Sequence, residues 1–192
     1  MVVGDEGIKT LVGISVLEVV LHGVLLDGKS VLSLSFQRGL KHVSSKEREA
    51  LLKRGQDLVL ASPFGNDTLS LVTTLVRDSH NGVFREKHAK LVLRRAKPGV
   101  LGFHTGFQGI AVALLPLHSL LADYSMQKVS LTLVDCTGCA SGTMSVVLNP
   151  KFISEVRPPL FCFARHFLRP RSVSHLSPSH SRFFHSSVCR HR

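Results

Sequence analysis

The sequence has no tryptophan, a single tyrosine and few acidic residues. Its 13 Asp and Glu stand against 24 Lys and Arg, which gives a formal net charge of +11. Because large aromatic side chains are scarce, we expect a core of aliphatic residues and phenylalanine. With 44% hydrophobic residues over 192 positions, the chain can build one core of ordinary size and have residues to spare.

Long apolar runs are also missing. A membrane span needs roughly 18–20 apolar residues, and the longest candidate, residues 11–26, is interrupted by Glu18 and His22. Asp5 and Glu6 occupy the region where a secretory signal carries basic residues. The sequence therefore predicts a cytoplasmic protein with no transmembrane span, for which peripheral membrane association stays open.

Catalytic motifs are absent. The sequence contains no phosphate-binding loop, no GxSxG and no HExxH. The histidines before residue 153 have no serine, cysteine or acid partner at motif spacing; they are His22, His42, His80, His88, His104 and His118. We therefore expect a protein that is not an enzyme and that uses no cofactor.

The acidic residues are too dispersed for a calcium site. Ca²⁺ takes about six to eight oxygen ligands, so several carboxylates must converge from neighbouring loops. Here one aspartate falls in each of several connections, and no Asp-x-Asp pair occurs; these residues are Asp27, Asp57, Asp78, Asp123 and Asp135. The sequence predicts no calcium site and no other metal site.

Cysteine is rare, and two of the four cysteines form a CxxC at Cys136 and Cys139. A zinc site would need a second pair, but Cys162 and Cys189 stand alone. A thioredoxin-like redox pair opens a helix, whereas this one follows a predicted strand. Structural or incidental thiols are the favoured interpretation, with a redox or zinc protein as the alternative.

Short β-branched and leucine-rich segments bounded by turn residues recur along the chain, which is typical of strands. Leu32, Leu34 and Phe36 alternate with serines, so this segment predicts a half-buried strand. A parallel sheet would need helices between most strands. The pattern therefore predicts an all-β, eight-stranded antiparallel sandwich, with strands over residues 10–20, 30–36, 57–61, 67–77, 90–95, 101–103 with 109–115, 129–134 and 142–148.

The segments between the predicted strands contain residues that are typical of turns and of helix ends. Asp27-Gly28 predicts a tight hairpin turn between the first two strands, and Asn81-Gly82 predicts a turn with positive φ at consecutive positions. Ser44 and Glu47 fit a capping box, and Gly55 fits a helix stop. These residues predict one short inserted helix over residues 45–54.

The last part of the chain, residues 153–192, differs in composition from the rest. It holds seven arginines, no lysine and one acid, Glu155, and it shows no regular apolar period. Such a segment is expected to be disordered. It is interpreted either as a basic arm for anionic lipid or nucleic acid, or as a solvated extension without a role.

One predicted strand is strongly basic. Lys90, Val92 and Arg94 are expected on one face, and Leu91, Leu93 and Arg95 on the other. A polybasic patch attracts anionic lipid at about 1 kcal/mol per cation near the surface. Alternatively, these basic residues form an ordinary solvated face of a basic protein. The alternative function is that of a nucleic-acid-binding protein, which would use this strand and the tail. The predicted lipid- or partner-binding residues are Arg85, Lys87, Lys90, Arg94, Arg95 and Lys97.

Three segments in this order carry a family resemblance: residues 17–28 (LEVVLHGVLLDG), 31–39 (VLSLSFQRG) and 101–115, with its Leu-Gly-Phe followed by Ile-Ala-Val-Ala-Leu-Leu. They resemble the N-terminal-type C2 domain of EH-domain-binding, early-estrogen-induced-gene-like and plant plastid-movement proteins. Residues 129–135 and 142–148 look like its closing hairpin. The resemblance covers residues 8–150 and places the domain at 8–152. It implies a C2-like, non-enzymatic adaptor or scaffold that attaches to anionic phospholipid or to cytoskeletal and trafficking proteins.

Overall fold

The computed structural model describes residues 6–64, 67–99, 104–121, 125–135 and 140–156. These residues form ten strands and one short helix, and every strand pairing is antiparallel. The predicted all-β class is confirmed. The elements are β1 (Glu6–Leu21), β2 (Gly28–Arg38), β3 (Lys41–Ser44), β4 (Arg48–Leu52), β5 (Leu58–Ala61), β6 (Thr68–Arg77), β7 (His88–Pro98), β8 (His104–Pro116), α1 (Leu117–Leu120), β9 (Gln127–Asp135) and β10 (Ala140–Val156).

The strands form two layers. In the first layer β3 and β4 pair with β2, which is followed by β7 and β8; in the second, β9 is followed by β10 and β1, with β5 and β6 on the outer side of β1. Among the described residues, the backbone pairing that joins the layers consists of two residue pairs between β8 and β9, Ala111 with Asp135 and Val112 with Val134. The predicted antiparallel sandwich is therefore confirmed.

Ten strands occupy eight positions, because β3 and β4 share the edge of β2 while β5 and β6 share the edge of β1. The break between β3 and β4 and the break between β5 and β6 lie close together, and residues at these two breaks contact each other through side chains. Arg48 Nη1 donates to the carbonyls of Ser62 and Pro63 at 3.2 and 2.9 Å, and Lys46 Nζ lies 3.4 Å from Asp67. These contacts tie the two layers together on the side opposite the β8–β9 junction.

The helix predicted over residues 45–54 is wrong, since this region contains β4 and follows β3. Ser45 exchanges two hydrogen bonds with Leu34 of β2: its N–H donates to the Leu34 carbonyl, and its hydroxyl accepts from the Leu34 N–H at 2.9 Å. An isolated helix of about ten residues is only marginally stable. Pairing with the open edge of β2 satisfies more backbone groups, so the strand conformation prevails.

The hairpin predicted at Asp27-Gly28 is also wrong, because β1 and β2 belong to different layers and do not pair. Gly28 does adopt a positive φ of 94°, and its N–H donates to the Asp27 carboxylate. At Asn81-Gly82 the turn is present, but only Gly82 has a positive φ. The closing hairpin is as expected, since β9 pairs with β10 along most of its length.

The core lies between the layers and consists of aliphatic side chains with phenylalanine, as expected. β7 shows the alternation clearly: Leu91 and Leu93 are fully buried, while Lys90 is exposed. The largest fully buried side chains are Phe36, Ile14, Leu32, Leu34, Leu52, Leu75, Leu91, Leu93, Leu115, Leu117, Leu121 and Leu133.

Some of the sequence-based predictions fall outside the described residues: the segment 101–103, Asp123, the Cys136–Cys139 motif and the tail from residue 157 onward. Residues 153–156, which the sequence assigned to the tail, form the end of β10. In the part of the chain that the structure describes, no helix has the length and apolar character required to cross a membrane.

Candidate functional site

Arg94 lies on the outer face of the first layer, as its position in β7 predicts. Its Nη2 donates to the Ser33 hydroxyl at 3.1 Å, and its guanidinium carbon lies 5.0 Å from the centre of the Phe107 ring. Burial lowers the pKa of Arg94, which the charge of Glu47 partly offsets. A half-buried guanidinium held by a hydroxyl and an aromatic ring is positioned rather than freely mobile.

Lys90 lies on the same outer face, four residues before Arg94. The β7–β8 register pairs it with Leu114, whose side chain is 57% exposed. An exposed lysine and an exposed leucine therefore stand side by side on this surface. We call the surface formed by Lys90, Arg94, Phe107 and Leu114 the basic face.

The other predicted cations lie elsewhere. Arg95 Nε donates to the Ser30 hydroxyl at 2.9 Å on the opposite side of β7, and Lys97 is exposed at the same end of the strand. At the other end, Arg85 donates its N–H to the Val76 carbonyl, and Lys87 Nζ donates to the Thr74 carbonyl. Of the six predicted residues, the structure therefore brings only Lys90 and Arg94 together on the basic face.

Aspartate carboxylates in the loops are engaged by their own surroundings. Asp57 accepts hydrogen bonds from His22 Nδ1 and from the Gly23 N–H, both at 2.9 Å. Asp78 accepts from the His80 N–H. Within the described ranges, no group of three or more His, Cys, Asp or Glu residues is arranged to hold a metal ion.

The Asp57 contacts join two loops at one end of the sandwich. Val24 N–H donates to the Gln56 carbonyl at 3.0 Å, and Gly55 N–H donates to the Val24 carbonyl at 2.8 Å. The hydrogen bond from His22, followed by that from the Gly23 N–H, holds the pKa of Asp57 below its usual value. The ionised carboxylate is therefore the form that holds the β1–β2 loop.

We expect Asp57→Ala to lower the hydrogen-exchange protection of the Gly23 amide several-fold while the β1–β10 ladder stays protected. Because the folded-state pKa of Asp57 is lowered, its contribution is complete above the unfolded pKa of aspartate and is lost as the pH falls through the folded value. Wild-type protection at Gly23 should therefore decline at acidic pH. Asp57→Asn, which keeps an acceptor, serves as the control, and unchanged protection in Asp57→Ala would contradict this role.

A cavity of about 350 Å³ lies between the β1–β2 loop and the β8–β9 junction. Aliphatic side chains supply the larger part of the lining surface, among them Leu21, Val24 and Ile110. The polar residues of the lining are His22, Gln108, Asp135 and Ser141. Its size is at the lower end of the range for small-ligand pockets, about 300–1,000 Å³. Because the walls are mainly aliphatic, the cavity suits an apolar group.

No protein-family model and no curated protein matches the sequence. Among solved structures, a C2 domain-containing protein from a putative elicitor-responsive gene is similar at a TM-score of 0.46 and 14% identity, covering 79% of this chain and 95% of that one. A C2 domain of plant extended synaptotagmin 1 is similar at a TM-score of 0.40 and 13% identity, covering 75% and 95%. The class defined by the fold is an all-β antiparallel sandwich with a basic outer face.

Sequence reasoning missed the partners that position the cations. Phe107 and Leu114 come from β8, and Ser33 comes from β2, so each is distant in sequence from Arg94 or Lys90. The sequence did contain a signal for one further cation that was not predicted. The period-2 alternation of β2 places Arg38 on the same inward side as Leu34 and Phe36. The partners across strands depend on the register, which a single sequence does not specify.

Proposed function

We propose that residues 8–152 form a C2-like module of the N-terminal type, which docks a cytoplasmic adaptor or scaffold protein on anionic membrane through the basic face. The observation that carries the proposal is the pairing of Lys90 with Leu114 beside Arg94. Cations near the surface attract anionic headgroups, and an exposed leucine adds apolar contact with the interface. The module is non-catalytic in this proposal.

Docking through this face does not require calcium. Glu47 is the acidic residue whose charge acts on Arg94. Glu49 forms an ion pair with Lys29 at 2.8 Å. Of the aspartates in the described loops, Asp57 accepts hydrogen bonds from His22 and the Gly23 N–H, and Asp78 accepts one from the His80 N–H. Attraction between positive side chains and anionic lipid needs no bridging cation, so a chelator should leave it unchanged.

We expect the full chain to co-sediment with phosphatidylcholine vesicles that contain phosphatidylserine, and not with phosphatidylcholine alone. The double variant Lys90→Gln/Arg94→Gln should bind about 30-fold more weakly, because two cations contribute about 1 kcal/mol each. Binding should also weaken as salt is raised, since exposed charges are screened. Addition of EDTA should not change it.

The matched control is Lys9→Gln/Lys128→Gln, which removes the same charge from exposed positions of the second layer. This variant should bind vesicles nearly as well as wild type. Equal weakening in both double variants would show that only net charge matters and would refute the basic face as the docking surface. Binding to single-stranded RNA without vesicle binding would instead support the nucleic-acid alternative.

A further inference from the structure

Two cations approach each other at the end of the sandwich where β2 ends and β7 begins. Arg38 is the last residue of β2, and Lys87 immediately precedes β7. The Lys87 ammonium donates to the Thr74 carbonyl on β6, which packs against β2 and β3. Burial lowers the pKa of Lys87, and the neighbouring charge of Arg38 lowers it further. The β2–β7 register, which pairs Gln37 with Lys90, brings the end of β2 beside the start of β7. The two positive charges therefore lie near each other, and both side chains are partly buried.

Arg38 and Thr73 each carry a buried polar atom that has no hydrogen-bond partner among the described residues. These atoms are Arg38 Nε and Thr73 Oγ1. Thr73 is only 2% exposed, and it directly precedes Thr74, the acceptor of the Lys87 ammonium. A buried donor without a partner costs about 1–3 kcal/mol. Such a group calls for a partner that the described residues do not supply.

No acidic side chain compensates these charges in the described part of the chain. Arg38 and Lys87 form no ion pair there, and Lys41, opposite Arg38 in the β2–β3 register, adds a third cation. The acid next to Lys87 in sequence, Glu86, is directed to His88 Nδ1 at 3.5 Å. The local charge is therefore positive and unbalanced.

We propose that Arg38, Lys87 and Thr73 form a binding site for a phosphate group. A guanidinium and an ammonium bind the oxygens of a phosphate by charge-assisted hydrogen bonds, and the threonine hydroxyl donates a further one. The site would connect the end of β2, the start of β7 and the middle of β6. It is separate from the basic face and does not depend on the proposed function.

The test measures the melting temperature of the full chain with inorganic phosphate at millimolar concentration, against sodium chloride at equal ionic strength. A ligand that binds only the folded state raises the melting temperature, here by about 1 °C when the phosphate concentration equals its dissociation constant and by about 4 °C at ten times that concentration. Arg38→Gln and Lys87→Gln should each abolish this increment. Where one variant does not fold, Thr73→Val, which keeps the side-chain shape, should reduce the increment.

The matched control is Lys90→Gln, which removes one charge from the basic face and should retain the full increment. If Arg38→Gln, Lys87→Gln and Thr73→Val all retain it, or if Lys90→Gln loses it equally, the site is refuted. The variant Lys90→Gln/Arg94→Gln should lose vesicle binding but keep the rise in melting temperature that phosphate causes. This result would show that the phosphate site and the basic face are separate.

The source of the phosphate group is distinguished with phosphatidylcholine vesicles containing a phosphoinositide, compared with a soluble inositol phosphate. Arg38→Gln should weaken binding to one of the two by at least tenfold. Weaker binding to the vesicles assigns the site to a lipid headgroup, and weaker binding to the soluble compound alone assigns it to a free phosphate ester. Unchanged binding of both by Arg38→Gln would overturn the proposal.

Discussion

A Gly142→Ala variant is expected to lose about 3 kcal/mol of folding free energy or more, because the added methyl group meets backbone rather than a movable side chain. A Cβ at this position would overlap the carbonyl oxygen of Val20 and lie 3.0 Å from the Leu21 Cα. Gly142 pairs with Leu21 of β1 and with Leu133 of β9, next to a register shift in β10. Relief of the overlap therefore requires β1 and β10 to separate locally.

Chemical denaturation followed by circular dichroism measures this loss as a lower midpoint. Gly109→Ala is the matched control, since its Cβ would meet only the end of the Val92 side chain at 3.2 Å. We expect that control to cost less than about 1 kcal/mol, because a single side-chain methyl group, and no backbone, has to give way by a few tenths of an ångström. Equal stability of the two variants would contradict the close approach of β1 to β10.

Phe36→Ala is expected to destabilise the domain by about 3–5 kcal/mol, the usual cost of removing a buried aromatic ring. Phe36 is 1% exposed near the end of β2, between Val43 of β3 and Leu91 of β7. Domains of this size have a total stability of about 5–15 kcal/mol, so the variant would lose a large part of it. The cavity left by the ring cannot close without moving two neighbouring strands.

The same denaturation experiment on Phe36→Leu provides the control, because a smaller change in apolar volume should cost distinctly less. Leu40, at the turn after β2, is fully exposed, and Leu40→Ala should leave the midpoint nearly unchanged. A loss of less than about 1 kcal/mol in Phe36→Ala would show that the β2 core position is not packed as described.

Two of the four residues of the basic face could be predicted from the sequence, because the alternation within a single strand places them. Alternation in β7 correctly assigned Lys90 and Arg94 to the outer face and Leu91 to the core. It could not show that Arg95 reaches Ser30, because that contact depends on the register of β7 against β2. Nor could it show that Lys87 is held by β6, a strand of the other layer.

By itself the sequence determined the all-β class, the antiparallel sandwich and the inward and outward sides of the clearest strands, because period-2 alternation and turn residues act locally. The tertiary structure alone decided that residues 48–52 pair with β2 instead of forming a helix, since the edge of a sheet offers backbone partners that a short helix lacks. It also decided that β1 and β2 separate into two layers. The proposed phosphate site has the same origin: Arg38, Lys87 and Thr73 are far apart in the chain, and only the packing of β2, β6 and β7 can bring them together.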